Sequence, residues 1–96
     1  LRAPMVGHLG DGNFHVILPY DPKKKETYDK IREFSDLLIK KTLELNGTIT
    51  GEHGVGLHKK EYLIKEHGDN IPVMKSIKRT MDPNNIMNPG KIFDLN

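Results

Sequence analysis

Gly7-His8-Leu9-Gly10-Asp11-Gly12-Asn13-Phe14-His15 is the stretch from which the rest of the chain is read. Asp11-Gly12 is a dipeptide favoured in two-residue type I′ hairpins, whose central residues both need positive φ. Folding the chain back there sets Gly10 against Asn13, Leu9 against Phe14 and His8 against His15. The spacing predicts two imidazoles as direct cross-strand partners, with Cβ atoms about 4.5–5.5 Å apart. Alternation puts Asn13 on the histidine face and Met5, Leu9, Phe14 and Val16 on the other, the expected core face. Two imidazoles so placed suit one divalent metal ion. The plainer reading is a pair of surface histidines on a glycine-rich turn, and the hairpin alone leaves both open.

The 96 residues suit one domain or a piece of one, with a modest core. At 35% hydrophobic and 29% charged, the composition is that of an ordinary soluble protein. The net charge of +2 is weak. Lysines cluster at Lys23-Lys24-Lys25, Lys40-Lys41 and Lys59-Lys60, but acids are interspersed, which describes a solvated surface and not a nucleic-acid footprint. The absence of cysteine excludes a disulfide framework and thiolate metal ligation. No signal peptide or membrane-length apolar run is visible. The expected location is therefore cytoplasmic, with a membrane-peripheral or mitochondrial-matrix placement as variants of that reading. Asn46-Gly47-Thr48 matches a glycosylation sequon, but nothing else points to secretion. The first residue is Leu1, not Met, so a fragment of a longer protein is expected.

Beyond the hairpin, Pro19-Tyr20-Asp21-Pro22 breaks the second strand. The spacing of Ile31, Phe34, Leu38, Thr42 and Leu45, widened by Leu37, predicts a helix from about Lys24 to Asn46. Gly47 is placed at C′, the left-handed position that ends a helix. Thr48-Ile49-Thr50, β-branched and followed by Gly51, predicts a strand edge. A helix from Lys59 to Glu66 stops at Gly68. Another runs from Ile71 to Met81, with Asn70 as N-cap, Pro72 in its first turn and apolar positions at Ile71, Met74, Ile77 and Met81. Asp82-Pro83-Asn84-Asn85 and Asn88-Pro89-Gly90 are turns. The predicted class is α+β: β-hairpin–helix–strand–helix–helix with an irregular C-terminal tail.

The second chemical stretch is Gly51-Glu52-His53-Gly54-Val55-Gly56. Its three glycines allow tight turns and leave Glu52 and His53 as the loop's only functional side chains. Phosphate binding is disfavoured, because Glu52 would repel an anion and the P-loop and dinucleotide patterns are missing. A carboxylate beside a histidine suits two other jobs. Glu52 fits as a third metal ligand, completing a two-histidine, one-carboxylate set. His53 fits as a general base near neutral pH. A glycine-rich turn with two exposed polar residues remains the bland alternative.

Gly7 to His15, Gly51 to Gly56, and Asp82-Pro83 with Ile86, Asn88, Pro89, Gly90 and Lys91 together carry a family resemblance. In order and spacing they resemble the C-terminal part of FAD-linked 2-hydroxy-acid oxidoreductases: the D-lactate dehydrogenase, glycolate oxidase and D-2-hydroxyglutarate dehydrogenase relatives of the vanillyl-alcohol oxidase superfamily. The resemblance covers nearly the whole chain. It implies that residues 1–96 are the C-terminal part of a cap or substrate domain with ferredoxin-like architecture, here partial. It also implies FAD held mainly by a separate N-terminal domain of the same protein, which is absent from this chain. In metal-dependent members the matching positions hold a divalent ion, zinc, manganese or iron; here those are His8, His15 and Glu52. The same resemblance makes His53 the base and gives Asn13, and more weakly Asn88, a contact with substrate or flavin. The reaction implied is oxidation of a small 2-hydroxy acid to the 2-oxo acid.

With the FAD-binding domain and the first half of the cap missing, the chain alone is expected to be inactive. Two readings compete with the enzymatic one. A non-catalytic metal-binding or structural domain would bind zinc or manganese without supporting turnover. A basic module for RNA or anionic membrane would show salt-dependent retention on a polyanion, and the interspersed acids argue against it.

Overall fold

A computed structural model describes residues 2–96. The chain forms two compact units, Leu1–Gly47 and Thr48–Asn96. The class is α+β, with one two-stranded antiparallel sheet and three α-helices among the described residues. No helix among the described residues is long and apolar enough to cross a membrane.

The first unit holds the hairpin and one long helix. Strand β1 (Met5–Val6) pairs with β2 (His15–Val16), Met5 opposite Val16 and Val6 opposite His15. Asp21 then prepares the helix: its carboxylate accepts the Lys23 N–H at 3.0 Å and its carbonyl the Lys24 N–H at 2.9 Å. Helix α1 (Lys25–Glu44) follows. Ile31, Phe34, Leu38 and Thr42 form a half-buried face as the spacing predicts, but Leu37 and Leu45 are exposed. The face widens on its other flank, through Ser35, Ile39 and Leu43, and Leu45 lies past the last helical turn.

The end of α1 corrects the expectation for Gly47. Asn46, not Gly47, takes the left-handed conformation, at φ 61°. Its N–H donates to the Leu43 carbonyl at 3.0 Å, and the Gly47 N–H reaches back to the Thr42 carbonyl at 2.8 Å. These are the two reversed bonds of a Schellman motif, which satisfy carbonyls the helix leaves without partners. Gly47 is required for space. A Cβ there would lie 2.9 Å from the Thr42 methyl.

The second unit is built on α2 (Lys60–His67), a single 3₁₀ turn over Gly68–Asn70, and α3 (Ile71–Met81). Asn70 precedes α3 and Pro72 lies in its first turn, as expected, though the Asn70 side chain makes no cap bond. Ile49, Leu63 and Ile71 are the buried apolar residues among those described, and all belong to this unit. The apolar positions of α3 are only partly covered. Ile71 is buried and Met74 half-buried, but Ile77 and Met81 are 60% and 76% exposed.

The expected strand at Thr48–Thr50 does not form. The Ile49 N–H, which a sheet would need, donates instead to the Glu66 carboxylate at 2.7 Å. The tail after α3 is irregular, as predicted, but tied down. Lys60 Nζ meets Asp94 at 2.9 Å, Arg79 reaches the Leu95 carbonyl at 2.7 Å, and Lys78 Nζ reaches the Met87 carbonyl at 2.5 Å.

Candidate functional site

The hairpin departs from the expected register. Type I′ geometry requires positive φ at both central residues. Asp11 instead ends a 3₁₀ turn over Leu9–Asp11, and Gly12 alone turns left-handed, at φ 77°. The connection therefore takes Leu9 to Gly12 rather than two residues. The Asn13 N–H donates to the His8 carbonyl at 3.2 Å, so His8 opposes Asn13 and His15 opposes Val6. The two histidines are not direct partners. The change in pairing is two residues, an even number, which leaves the alternation of faces along each strand as expected. The histidines become diagonal neighbours, a relation that spans roughly 7–8 Å.

Gly7 explains how the strands approach so closely. A Cβ there would sit 2.5 Å from both the Asn13 carbonyl oxygen and the Phe14 Cα. The opposite face of the ribbon is not core: Met5, Leu9 and Phe14 are exposed, which corrects the expectation that they pack inward.

In the second unit the glycine loop is a defined turn. The Gly54 N–H donates to the Gly51 carbonyl at 3.2 Å, which makes Glu52 and His53 the two central residues of a β-turn. Both side chains stay mostly exposed, with Glu52 Oε1 3.8 Å from His53 Nε2. That separation is too long for a hydrogen bond but brings the carboxylate and imidazole to one place. The loop is held from both sides. Before it, the Ile49 N–H and the Thr48 hydroxyl donate to Glu66; after it, the Ile92 N–H donates to the Gly56 carbonyl at 2.7 Å.

Asn88 is exposed on a turn of the tail, left-handed at φ 46°, its carbonyl accepting the Lys91 N–H at 3.3 Å. The chain leading to it is fixed by Asp82, which the sequence marks as a turn former and as part of a family block but not as a buried anchor. Asp82 is 6% exposed. Its carboxylate accepts the Lys78 ammonium and the backbone N–H groups of Ile86 and Met87. The Lys78 hydrogen bond above all, then the two N–H donors, holds this carboxyl below its ordinary pKa range, against the opposing effect of desolvation. An aspartate opening a Pro-Asn-Asn turn is a recognisable sign of such a role. Glu66 had no local sign, because the Ile49 amide and the Thr48 hydroxyl it serves lie 17 and 18 residues earlier in the chain.

The structure thus joins the site candidates into two local groups. His8, Asn13 and His15 share the hairpin. Glu52 and His53 share a turn, and Asn88 lies on the tail of that second unit.

Comparison with known proteins matches residues 1–92 to the family described as FAD linked oxidases, C-terminal domain. The chain is 44% identical over 94 residues to a mitochondrial D-lactate dehydrogenase (cytochrome) of Arabidopsis thaliana, covering 97% of this chain and 17% of that protein. It is 44% identical over 88 residues to the glycolate oxidase subunit GlcD of Bacillus subtilis, covering 91% of this chain and 19% of the relative. Over 90 residues it is 41% identical to the D-2-hydroxyglutarate dehydrogenase of Stutzerimonas stutzeri, covering 91% and 19% respectively. The chain spans less than a fifth of the length of these relatives. Motifs, residue order and similarity along nearly its whole length agree: the chain belongs to the C-terminal domain family of the FAD-linked oxidases.

Proposed function

We propose that the chain contributes substrate-handling residues to an FAD-dependent oxidation of a 2-hydroxy acid to the 2-oxo acid. The observation that carries this reading is the β-turn that sets Glu52 beside His53. The relatives named above are called after lactate, glycolate and 2-hydroxyglutarate, which share a hydroxyl on the carbon next to a carboxylate.

In this reading His53 takes the hydroxyl proton at a ring nitrogen. General-base assistance of this kind contributes roughly 10²–10⁴-fold. His8, His15 and Glu52 are the metal-ligand candidates. Two imidazoles and a carboxylate form a donor set suited to a late first-row divalent ion. Such an ion, when bound, supplies Lewis-acid polarisation of the hydroxyl. FAD supplies the two-electron acceptor, and Asn13 and Asn88 are this chain's candidates for contact with it or with substrate.

The test separates Glu52 from His53 in the flavin-loaded protein. Glu52→Gln should lower manganese affinity, and added manganese should partly restore flavin reduction. His53→Asn should keep the metal and lose rate, with no recovery on adding metal. Metal content and flavin bleaching are measured for both. Wild-type bleaching in both variants would make the turn structural. Manganese binding in a protein that never reduces its flavin would favour the non-catalytic domain.

A further inference from the structure

We infer that Glu66 is a positioning residue for the Glu52–His53 turn, acting through a carboxylate clamp on the chain that enters it; this builds on the function proposed above. Glu66 lies in the last turn of α2, and its side chain is 9% exposed. One carboxylate oxygen accepts the Ile49 N–H at 2.7 Å. The other accepts the Thr48 hydroxyl at 3.0 Å and lies 2.6 Å from His67 Nε2. A negative charge in the last turn of a helix opposes the macrodipole, so this position is unfavourable unless donors surround the carboxylate. The Thr48 hydroxyl and the Ile49 N–H are those donors, with the His67 ring against the same oxygen as Thr48.

The clamp bears on the turn because there is little slack between them. Glu52 follows Ile49 by three residues, a stretch of chain that spans at most about 10 Å. At the other end, the Gly56 carbonyl is held by the Ile92 N–H. The glycines between these anchors leave the intervening backbone a wide choice of conformations. The anchors at its two ends therefore narrow that choice. The exit anchor is a single backbone bond, whereas the entry anchor is a carboxylate, and bonds to a charged acceptor are the stronger kind. Ile49 is itself buried, so its N–H has poor access to water as a substitute partner.

The experiment uses the flavin-loaded protein and four variants: Glu66→Ala, Glu66→Gln, Thr48→Val and Leu63→Ala. Hydrogen exchange across Ile49–Gly56 is followed together with kcat and KM for flavin reduction. Glu66→Ala should speed exchange at Ile49 and through the turn by tenfold or more, while α3 stays protected. It should also lower kcat by about 10–100-fold with KM little changed, the scale of loss expected when a catalytic group is misplaced by an ångström. Glu66→Gln keeps an acceptor for Ile49 and should recover most of the rate. Thr48→Val removes one donor and should fall between wild type and Glu66→Ala; with Glu66→Gln it still decides the question if the alanine variant does not fold. Leu63→Ala opens a cavity in the same helix and should lower thermal stability without altering the turn's exchange or the rate per folded molecule.

Unchanged turn exchange in Glu66→Ala, or in Thr48→Val where the alanine variant does not fold, overturns the inference. So does a rate loss in Leu63→Ala equal to that in Glu66→Ala. Because exchange is read independently of turnover, failure of the clamp is distinguishable from failure of the proposed function, which the Glu52 and His53 variants judge.

Discussion

Replacing Gly47 by alanine puts a methyl into the tightest point of the α1 terminus. The new Cβ would stand 2.9 Å from Thr42 Cγ2 and 3.1 Å from the Thr42 carbonyl oxygen. The Thr42 side chain cannot simply rotate away, because its hydroxyl donates to the Leu38 carbonyl at 2.7 Å. Breaking that bond costs about 0.5–1.5 kcal/mol net. Moving the backbone instead lengthens the 2.8 Å bond from Gly47 N–H to the Thr42 carbonyl, at a similar cost. With both contacts forced to give, the loss is about 1–3 kcal/mol. Alanine returns about 0.4–1 kcal/mol by restricting the unfolded chain. The expected net is a destabilisation of about 1 kcal/mol. Thr42→Ser deletes the offending methyl and keeps the hydroxyl. In that background Gly47→Ala should cost almost nothing, a coupling of about 1 kcal/mol in the double-mutant cycle. Urea unfolding of the four proteins measures it. Equal penalties in both backgrounds, or a stabilised Gly47→Ala single variant, would refute the steric argument.

Two further perturbations address the tail. The lowered pKa of Asp82 means that its stabilising effect is fully present above the unfolded value of about 3.9 and is lost as pH falls through the lower folded value. Asp82→Asn should therefore be less stable at neutral pH, and its unfolding midpoint should change less than that of wild type from pH 5 to 2.5; parallel urea profiles would show that the carboxylate contributes nothing through its charge. Ile92 holds φ 72° at the centre of a γ-turn closed by the Phe93 N–H on the Lys91 carbonyl at 2.8 Å, a conformation that strains a β-branched residue. Ile92→Asn, whose side chain tolerates that region, should be stabilised by roughly 0.5–1 kcal/mol in the same assay; a loss larger than 1 kcal/mol would mean that isoleucine packing outweighs the strain.

Local signals served best where the physics is local. Ile71–Met81 begins and ends where the sequence predicts, because Pro72 and Asp82-Pro83 act on their immediate neighbours, although the Asn70 side chain makes no cap bond. The half-buried face of α1 follows its three-and-four spacing for the same reason. The α+β class was legible from periodicity and turn signals, and the family from three blocks, Gly7 to His15, Gly51 to Gly56 and Asp82 to Lys91. The hairpin was legible as a hairpin and misread in register, since one left-handed residue at Gly12, not two, closes its loop. The Thr48–Thr50 strand failed for a reason no local pattern carries: a carboxylate 17 residues away takes the amide that a neighbouring strand would have used. The spacing of Ile77 and Met81 marks apolar positions without saying what covers them, and both are exposed. Of the site, the adjacency of Glu52 and His53 was readable, whereas the anchors on either side of their turn were not.

The Schellman end of α1 also bears on how the chain ages. Asn46-Gly47 is the dipeptide most prone to spontaneous deamidation, in which the glycine nitrogen attacks the asparagine side-chain carbonyl to close a succinimide. That nitrogen must be free to move and to lose its proton. Here its N–H is committed to the Thr42 carbonyl at 2.8 Å, and Asn46 is held left-handed by its own bond to Leu43. Cyclisation has to wait for the helix end to open. The bond that terminates α1 therefore also sets a chemical clock, whose rate follows the fraction of time the last turn of the helix spends unravelled.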